Sequence, residues 1–275
     1  MILAKVEFGR SGSKEEVDLE DLIESYLSLL FHNGQLCGEY FVTWTNRVLN
    51  AHVLLAGPTA YHLRYHSDYS KQALVKVRKA FGKDPAWTLL DDDARNRSPS
   101  WRAAPFLYLF THAFDWAPPV CRGDNGAPIP SYLLPVPYEQ KEQLYFWQRN
   151  YYHHDNIWLA SGALEIPAYR QLVEPKSNLA EHGRELCREI ENCTGVPTYY
   201  FLMRYWGRRK GEENRRCPGC GHAWRDKRRT ERKAKFWEFP LLCEECRLVS
   251  HIAVSFDDDR HARIGEQWQR GMKSK

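Results

Sequence analysis

The amino-acid sequence predicts an α+β protein, with a mixed body of helices and strands followed by a small C-terminal four-cysteine zinc ribbon. Two patterns of apolar residues predict the body, because alternation is typical of strands and steps of three and four residues are typical of helices. Two Cys-x-x-Cys pairs within residues 217–246 predict the ribbon. We therefore expect a body over residues 1–206, with a candidate divider at 116–137, and a zinc-ribbon module over 207–275.

The first ninety residues predict a strand, a helix, a hairpin, a second helix and a further strand. Ser13 and Glu16 have the spacing of a capping box at the start of the first helix. Asn46 and Arg47 separate two segments rich in aromatic and β-branched residues, which is typical of a tight hairpin turn. The predicted elements are strand 1–8, helix 15–31, strands 40–45 and 48–56, helix 68–81 and strand 86–90.

The rest of the chain predicts fewer strands and longer helices. Six prolines between residues 116 and 137 argue against a regular helix or a central strand there, so we expect a covering loop or a divider. Pro175 predicts a break in a helical segment. The remaining predicted elements are strand 104–111, helices 138–161 and 168–193, strand 197–206, and ribbon strands 234–242 and 247–256.

Length and composition restrict the class of protein. The chain has 275 residues, of which 43% are hydrophobic and 27% charged, and this balance excludes wholesale disorder. The longest apolar runs are about five residues, whereas a membrane span needs roughly 20. Lys5, Glu7 and Arg10 interrupt any signal-peptide core at the N-terminus. We therefore expect a cytoplasmic protein with no membrane partner.

The charge is unevenly distributed. The net charge is +4, from 39 Lys and Arg against 35 Asp and Glu. Between Arg204 and Lys235 there are 13 basic and 4 acidic residues, which leaves 26 basic and 31 acidic residues elsewhere. A strongly basic segment on a mildly acidic body indicates a surface for nucleic acid or for an acidic partner. The alternative is that the basic side chains only keep a small module in solution.

The paired cysteines predict one structural zinc ion, with Cys217, Cys220, Cys243 and Cys246 as its ligands. Zn²⁺ suits four thiolates in tetrahedral geometry, and a fully occupied shell leaves no position for water or substrate. An iron site and a redox dithiol are the competing interpretations. We expect His222 and His251 to be neighbours rather than ligands, and we expect reduced, packed thiols at the other cysteines. Those are Cys37, Cys121, Cys187 and Cys193.

Catalytic signals are weak, and we predict no catalytic residues and no enzyme activity. The sequence has no Gly-rich phosphate loop, no serine nucleophile elbow and no HExxH helix. Adjacent side chains on a helix point about 100° apart, so the His153-His154 pair within 151–155 favours an amphipathic surface over a metal or acid–base site. The acidic runs 91–93 and 257–259 are more typical of solvated loops than of Mg²⁺ sites.

The C-terminal third resembles an uncharacterised bacterial family of zinc-ribbon-containing proteins for which nucleic-acid binding has been suggested. Some of its members look like immunity proteins that neutralise secreted nuclease toxins in the cytoplasm of the recipient cell. The resemblance implies no catalytic residue and covers about 80 residues. It rests on residues 197–202, Cys217-Pro218-Gly219-Cys220, Trp224, Phe239, Cys243 and 246–250.

Two binding functions follow as hypotheses, and we favour the first. An inhibitor of a nuclease would present an acidic, aromatic-rich face to the basic DNA cleft of its cognate toxin. A nucleic-acid-binding or regulatory protein would use the basic ribbon instead, and its affinity would fall steeply with salt. The candidate toxin-binding residues are Asp18, Asp21, Glu24, Asp91, Asp92, Asp93, Asp257, Asp258 and Asp259. The candidate nucleic-acid-binding residues are Arg208, Arg209, Arg215, Arg216, Arg228, Arg229 and Lys233.

Overall fold

A computed structural model describes residues 1–10, 18–90, 99–225 and 239–266 of the chain. The prediction of a mixed helix-and-sheet protein with a cysteine cluster near the C-terminus is confirmed. The strands are β1 (Ile2–Gly9), β2 (Leu36–Thr45), β3 (Val48–Leu55), β4 (Ala86–Leu89), β5 (Leu107–Leu109), β6 (Val120–Arg122), β7 (Pro128–Ile129), β8 (Thr198–Phe201), β9 (Leu241–Cys243) and β10 (Leu248–Ser250). The helices are α1 (Leu19–His32), α2 (Asp68–Phe81), α3 (Tyr138–Leu159), α4 (Glu165–Val173) and α5 (Asn178–Thr194).

The chain folds into two compact units. The first contains Met1–Trp101, Phe114–Val120 and Pro128–Phe146, and the second contains the remaining described residues. The predicted division after residue 206 follows the order of the sequence and stays a prediction. Each unit is described separately below.

The first unit is built on a four-stranded antiparallel sheet in the order β2-β3-β1-β4. The element order βαββαβ together with this strand order is that of the split-βαβ, ferredoxin-like arrangement. Ala4, Val6 and Phe8 of β1 are buried, whereas the residues between them are more exposed. They form one core with the apolar faces of both helices, including Leu27 and Val77. The alternation read from the sequence therefore identifies the face of β1 that packs in the core.

The first helix begins later than predicted. Asp18 has extended backbone dihedrals, and its carboxylate accepts hydrogen bonds from the N–H groups of Glu20 and Asp21. This is N-cap geometry, so α1 begins at Leu19 and the predicted start at residue 15 is wrong. The proposed capping box at Ser13 and Glu16 lies outside the described residues.

The predicted hairpin turn is confirmed. Asn46 and Arg47 both have positive φ angles, of 52° and 66°, and they join β2 directly to β3. Two successive residues with positive φ form the type I′ turn, whose twist matches that of antiparallel strands. The strand β2 extends further than predicted, back to Leu36, and a register shift between Cys37 and Phe41 interrupts its pairing with β3.

The strands of the second unit follow the order β6-β5-β8-β10-β9. Parallel pairing joins β8 to both β5 and β10, and β9 returns antiparallel to β10. Helix α5 lies against β8 at Gly183, where an added Cβ would be 2.3 Å from the ring of Tyr200. Only glycine allows the helix this close to the strand.

Two sequence predictions for this part of the chain need correction. The segment 116–137 was expected to contain no central strand, yet Val120–Arg122 forms β6, which pairs with β7 on one side and with β5 on the other. The prolines lie outside these three residues, so none of them removes a donor within β6. The predicted strand 104–111 is reduced to β5, and the helical break at Pro175 is confirmed between α4 and α5.

A buried ion network organises the C-terminal part of the second unit. Arg204, only 1% exposed, pairs with the buried Glu212 at 3.1 Å and with Glu266 at 3.0 Å. The same guanidinium donates hydrogen bonds to the carbonyls of Ala262 and Ile264 at 2.5 and 2.6 Å. A buried charge is tolerated when it is paired and hydrogen-bonded in this way. Arg204 therefore fixes the segment 262–266 to the strand exit after β8.

The first unit contains a buried polar network around His66. The hydroxyl of Tyr26 lies 2.8 Å from His66 Nε2, and the His62 carbonyl lies 3.3 Å from Nδ1. This arrangement favours a neutral imidazole that donates from Nδ1 and accepts at Nε2. Burial, with smaller effects from Lys71 and Arg78, lowers the pKa of His66 to about 4.

We expect the first unit to lose stability as the pH falls from 6.5 towards 4. The unfolded chain binds a proton at His66 with a pKa near its ordinary value of 6.5, whereas the folded chain does so only near 4. The full difference is up to about 3 kcal/mol in the free energy of unfolding. Hydrogen exchange of β1 and β3 amides, measured across this pH range in the wild type and His66→Gln, tests it. Parallel loss of protection in both proteins would show that another group is responsible.

Candidate metal centre

The second cysteine pair lies in the hairpin between β9 and β10. Cys243 is the last residue of β9, and Cys246 follows in the turn with its N–H 3.4 Å from the Cys243 Sγ. Arg247 has a φ of 51° and closes the turn. Because β10 also pairs with β8, this pair of cysteines is anchored directly to the second sheet.

The first cysteine pair lies in a tight loop held by backbone hydrogen bonds. Gly221 N–H donates to the Cys217 carbonyl at 2.8 Å, and Cys217 N–H donates to the His222 carbonyl at 2.9 Å. Trp224 is buried after this loop, and its carbonyl accepts from the N–H of Leu242 in β9 at 2.6 Å. This bond brings the loop alongside the hairpin that carries the second pair.

The four predicted ligands meet in space. The sulfur atoms of Cys217, Cys220, Cys243 and Cys246 all lie within 4.8 Å of one another. The Cys220 and Cys243 sulfur atoms are 3.6 Å apart. A tetrahedral shell with metal–sulfur bonds of about 2.3 Å holds its sulfur atoms roughly 3.8 Å apart. The residues present therefore fit a single metal ion.

The backbone near the cluster is shaped for close approach of the two pairs. A Cβ at Gly219 would lie 2.7 Å from the Cys246 sulfur, so a side chain there would push the two pairs apart. Gly221 has a φ of 78°, in the left-handed region that favours glycine. Gly219 is thus required by the close approach of the two cysteine pairs, and Gly221 by the positive φ of the loop.

Two of the clustered thiols, Cys243 and Cys246, resist ionisation unless a cation is present. Burial raises the pKa of Cys243 to about 12, with neighbouring Cys217 adding to the effect. Burial and the charge of Cys217 also raise the pKa of Cys246. A bound divalent cation reverses this effect, because a thiol that coordinates a metal is deprotonated. The cluster is therefore suited to holding a metal ion and unsuited to holding four unpaired thiolates.

The other four cysteines and His251 are not part of the four-sulfur cluster. Cys37, Cys121 and Cys187 are buried as predicted, but Cys193 is exposed, so the expectation of a packed thiol there is wrong. His251 is stacked on Phe201, and its Nε2 accepts from the Arg204 N–H at 3.3 Å. His222 follows the first pair, and its Nδ1 lies 2.9 Å from the Glu245 carboxylate.

The segment 151–155 is only partly the surface that its sequence indicated. Tyr151 and Asp155 are buried, whereas His153 is exposed. The Asp155 carboxylate accepts a hydrogen bond from the Ala113 N–H at 2.7 Å. Burial raises the pKa of Asp155. This carboxylate fixes a loop rather than taking part in any cluster of histidines.

The candidate toxin-binding residues fall in separate places. Asp18, Asp21 and Glu24 are exposed together on the first turns of α1, in the first unit. Asp258 belongs to the second unit, where Arg260 and neighbouring backbone N–H groups lower the pKa of its carboxyl to about 2. Asp257 and Asp259 flank it. The acidic run at Asp91, Asp92 and Asp93 lies outside the described residues.

Four of the seven candidate nucleic-acid-binding residues are described; Arg215 is buried, and the other three are exposed but donate to acceptors within the chain. Arg215 is buried and donates to Ser250 Oγ at 2.6 Å. Arg208 pairs with Glu266, Arg209 donates to the Phe256 carbonyl and Arg216 donates to the Gly221 carbonyl. The other three candidates lie outside the described residues, namely Arg228, Arg229 and Lys233.

The sequence reasoning missed an exposed aromatic pair on β2. Phe41 is 64% exposed and Trp44 is 48% exposed, although both belong to a regular part of the strand. The Trp44 Nε1–H donates to the Glu20 carboxylate of α1 at 2.7 Å. The polar alternation of β2 was visible in its sequence, but its position at the sheet edge was not.

The fold and this site define a mixed α+β protein with a four-cysteine cluster whose geometry fits a metal ion. The chain belongs to the family of an uncharacterised protein of Haemophilus influenzae, to which it is 36% identical over 169 residues that span 78% of that relative. A second uncharacterised Haemophilus influenzae protein is 37% identical, and the match spans 60% of its length and 60% of this chain. No helix in the described part of the chain is both long and apolar enough to cross a membrane.

Family profiles divide the chain into three segments. Residues 102–203 match a domain of unknown function (DUF2310), residues 207–256 match a second (DUF8594) and residues 1–91 match a third (DUF8589). A crystal structure of an antibiotic biosynthesis monooxygenase aligns with 33% of this chain and 97% of its own, at 10% identity. Its TM-score of 0.25 is too low to indicate a common fold.

We expect the purified chain to bind about one metal ion and to lose it when Cys243 is changed to alanine. Removing one of four ligands leaves an incomplete shell, and metal binding contributes about 10–16 kcal/mol to folding in small four-ligand sites. Metal content by mass spectrometry of the native protein checks the stoichiometry. Cys37→Ala is the matched control, because Cys37 is buried in the first unit. Equal metal content in both variants would contradict the site.

We also expect Gly219→Ala to weaken metal binding without abolishing it. The added methyl group collides with the Cys246 sulfur, so that side chain must shift for both to be accommodated. Competition against a chromophoric chelator measures the change in affinity. The control is Gly82→Ala, which strains the left-handed C-cap of α2 in the first unit but adds no contact within 4 Å, so it perturbs the backbone away from the cysteines. Unchanged affinity in Gly219→Ala would show that the two cysteine pairs lie further apart than described.

Proposed function

We propose that this chain is a non-enzymatic zinc protein that binds and inhibits a basic protein, as a cytoplasmic immunity protein binds a nuclease-type toxin. The observation that carries the protein-binding part is an exposed acidic and aromatic edge on the first unit. The four-cysteine centre has a structural role in this proposal. No catalytic residue is assigned.

Zinc is the metal that best matches the cysteine centre. Its four sulfur donors are soft, and Zn²⁺ is the common divalent ion for such tetrahedral sites. Four protein ligands complete the shell, so the ion has no position at which to activate water. Its role is to join two loops that share no covalent link, which is why we assign it to structure and not to chemistry.

The proposed docking surface is the edge of the first sheet. Strand β2 is the outermost strand of the described sheet, and α1 lies against it. Edge strands are normally protected by lysine, proline or bulges, but the regular part of β2 has none of these between residues 41 and 45. The exposed side chains along it, which we call the β2–α1 edge, are Glu20, Asp21, Glu24 and Trp44 on the face that carries α1, and Glu39 and Phe41 on the opposite face.

The chemistry of the β2–α1 edge fits a basic protein. Phe41 and Trp44 supply large, rigid apolar area of the kind that dominates interface energetics. Glu20, Asp21 and Glu24 on the side of Trp44, and Glu39 on the side of Phe41, provide a negative field that accelerates encounter with a positively charged surface. Nuclease toxins must carry such a surface to bind DNA. Nucleic acid itself would be repelled by this edge.

The described basic residues give less support to nucleic-acid binding. Arg215 is buried, and the guanidinium groups of Arg208, Arg209 and Arg216 already donate to acceptors within the chain. Charges used in this way are less available to neutralise phosphate groups. The segment with the highest density of basic residues, 226–238, lies outside the described residues, so nucleic-acid binding is kept as an outcome of the test.

We expect a tight, stoichiometric complex with the product of the neighbouring gene, and we expect variants of the β2–α1 edge to weaken it. Phe41→Ser should raise Kd by about thirtyfold if this ring is buried as a hot spot, a cost of about 2 kcal/mol. Glu24→Lys should mainly lower the association rate, because it acts at the charged rim. Surface plasmon resonance with the purified neighbour measures both constants.

Matched controls come from the second unit. Leu164 is 61% exposed and Glu185 is exposed on α5, so Leu164→Ser and Glu185→Lys make equivalent changes away from the edge. All variants should keep their metal. Equal weakening by the edge and control variants would contradict this docking surface. Recovery of nucleic acid with no protein partner, lost at high salt, would replace the proposal with the nucleic-acid function.

A further inference from the structure

A second group of metal-ligating atoms lies beside the four-cysteine centre. The Cys220 sulfur, a ring nitrogen of His222 and a carboxylate oxygen of Glu245 all lie within 4.8 Å of one another. His222 Nδ1 and the Glu245 carboxylate are 2.9 Å apart. Each of the two cysteine pairs thus contributes to this group, His222 just after the first pair and Glu245 within the second.

We propose that Cys220, His222 and Glu245 form a capture site through which the metal ion is loaded into and released from the four-cysteine centre. This inference rests on the proposed metal binding. Nitrogen, oxygen and sulfur donors in one group can bind Zn²⁺ transiently. Cys220 belongs to both groups, so the ion can exchange His222 and Glu245 for the remaining sulfur atoms without leaving the protein.

The exposed fraction of each ligand determines the order in which an arriving ion would meet them. Cys217 and Cys243 are buried, and Cys220 and Cys246 are partly exposed. The side chains of His222 and Glu245 are 73% and 62% exposed. An ion arriving from solvent therefore reaches the histidine and the carboxylate first, then the shared sulfur, and the two buried sulfur atoms last. As each thiol binds, its proton passes to solvent.

A purely structural role for this pair makes a different prediction. Exposed ion pairs contribute a median of about 0–1 kcal/mol to stability, so the His222–Glu245 contact adds little as a link between the two loops. If the pair were only a structural link, removing it would change the stability of the fold and the affinity for metal, but it would have no effect of its own on the rate of metal exchange. A capture site changes the rates of loading and release together, and leaves the final metal content unchanged.

The test measures metal exchange in the full chain. Stopped-flow absorbance follows Co²⁺ uptake by the metal-free protein through the sulfur-to-cobalt charge-transfer band, and a chromophoric chelator follows Zn²⁺ release. The variants are His222→Ala and Glu245→Gln. The backbone carbonyl of His222 that holds Cys217 is retained in the alanine variant. Glu244→Gln is the control, since it removes the same charge from the adjacent exposed position.

We expect both rates to fall by about tenfold in His222→Ala and Glu245→Gln, a size typical for loss of a group next to a metal shell. Glu244→Gln should exchange at the wild-type rate, and all three variants should still bind one ion. Unchanged rates in His222→Ala and Glu245→Gln would overturn the capture site, as would equal slowing in Glu244→Gln, which indicates only a long-range charge effect. A wild-type chain that binds no metal would instead refute the proposed zinc centre.

Discussion

The cysteine centre depends on one constraint, which is that two loops from distant parts of the sequence must hold four sulfur atoms within bonding reach of a single point. Twenty-two residues separate Cys220 from Cys243, and no disulfide joins them among the described residues. Burial raises the pKa of Cys243 and Cys246, so packing alone does not favour the ionised cluster. A divalent cation removes that penalty and replaces it with four bonds. The steric limits at Gly219 and Gly221 follow from the same requirement.

Both loops are also anchored to the surrounding structure by hydrogen bonds. The second pair is part of a hairpin whose β10 is hydrogen-bonded to β8. Arg215, two residues before Cys217, connects the first pair to β10. Its guanidinium donates to Ser250 and to the His251 carbonyl just after β10. Arg204 and Glu212 form the buried ion pair beneath this arrangement. Removing one partner of such a pair costs far more than the pair contributes, because the other charge stays buried. The cysteine cluster and the ion network therefore both link loops in the C-terminal part of the second unit.

Local chemistry explains which features could be predicted from the sequence. The ligands at 217–246 could be assigned because the spacing of two Cys-x-x-Cys pairs has few other physical uses. The hairpin could be predicted because Asn46 and Arg47 separate two segments rich in aromatic and β-branched residues. The bounds of α2 follow from its periodicity and its caps. The start of α1 was misplaced because Ser13 and Asp18 are both acceptable N-caps and only packing selects between them. The short strand β6 was missed because its pairing partners are distant in sequence, and no local signal encodes them.

Charged residues can be located from the sequence, but only the fold shows whether they are buried or exposed. The basic stretch from Arg204 to Lys235 indicates a phosphate-binding surface when it is read as a sequence, but Arg204 and Arg215 are internal cations, and Arg208 is paired with Glu266. Within the described residues, part of the apparent basic patch is therefore the positive half of a buried ion network. The acidic residues of α1 have the opposite character, since they are exposed beside Phe41 and Trp44 on a strand edge. The net charge of +4 thus includes two internal cations, Arg204 and Arg215, which no partner meets, whereas Arg208, Arg209 and Arg216 are exposed. Burial, which composition does not contain, therefore removes part of the basic surface that nucleic-acid binding would use, and this supports the proposal of a basic protein partner.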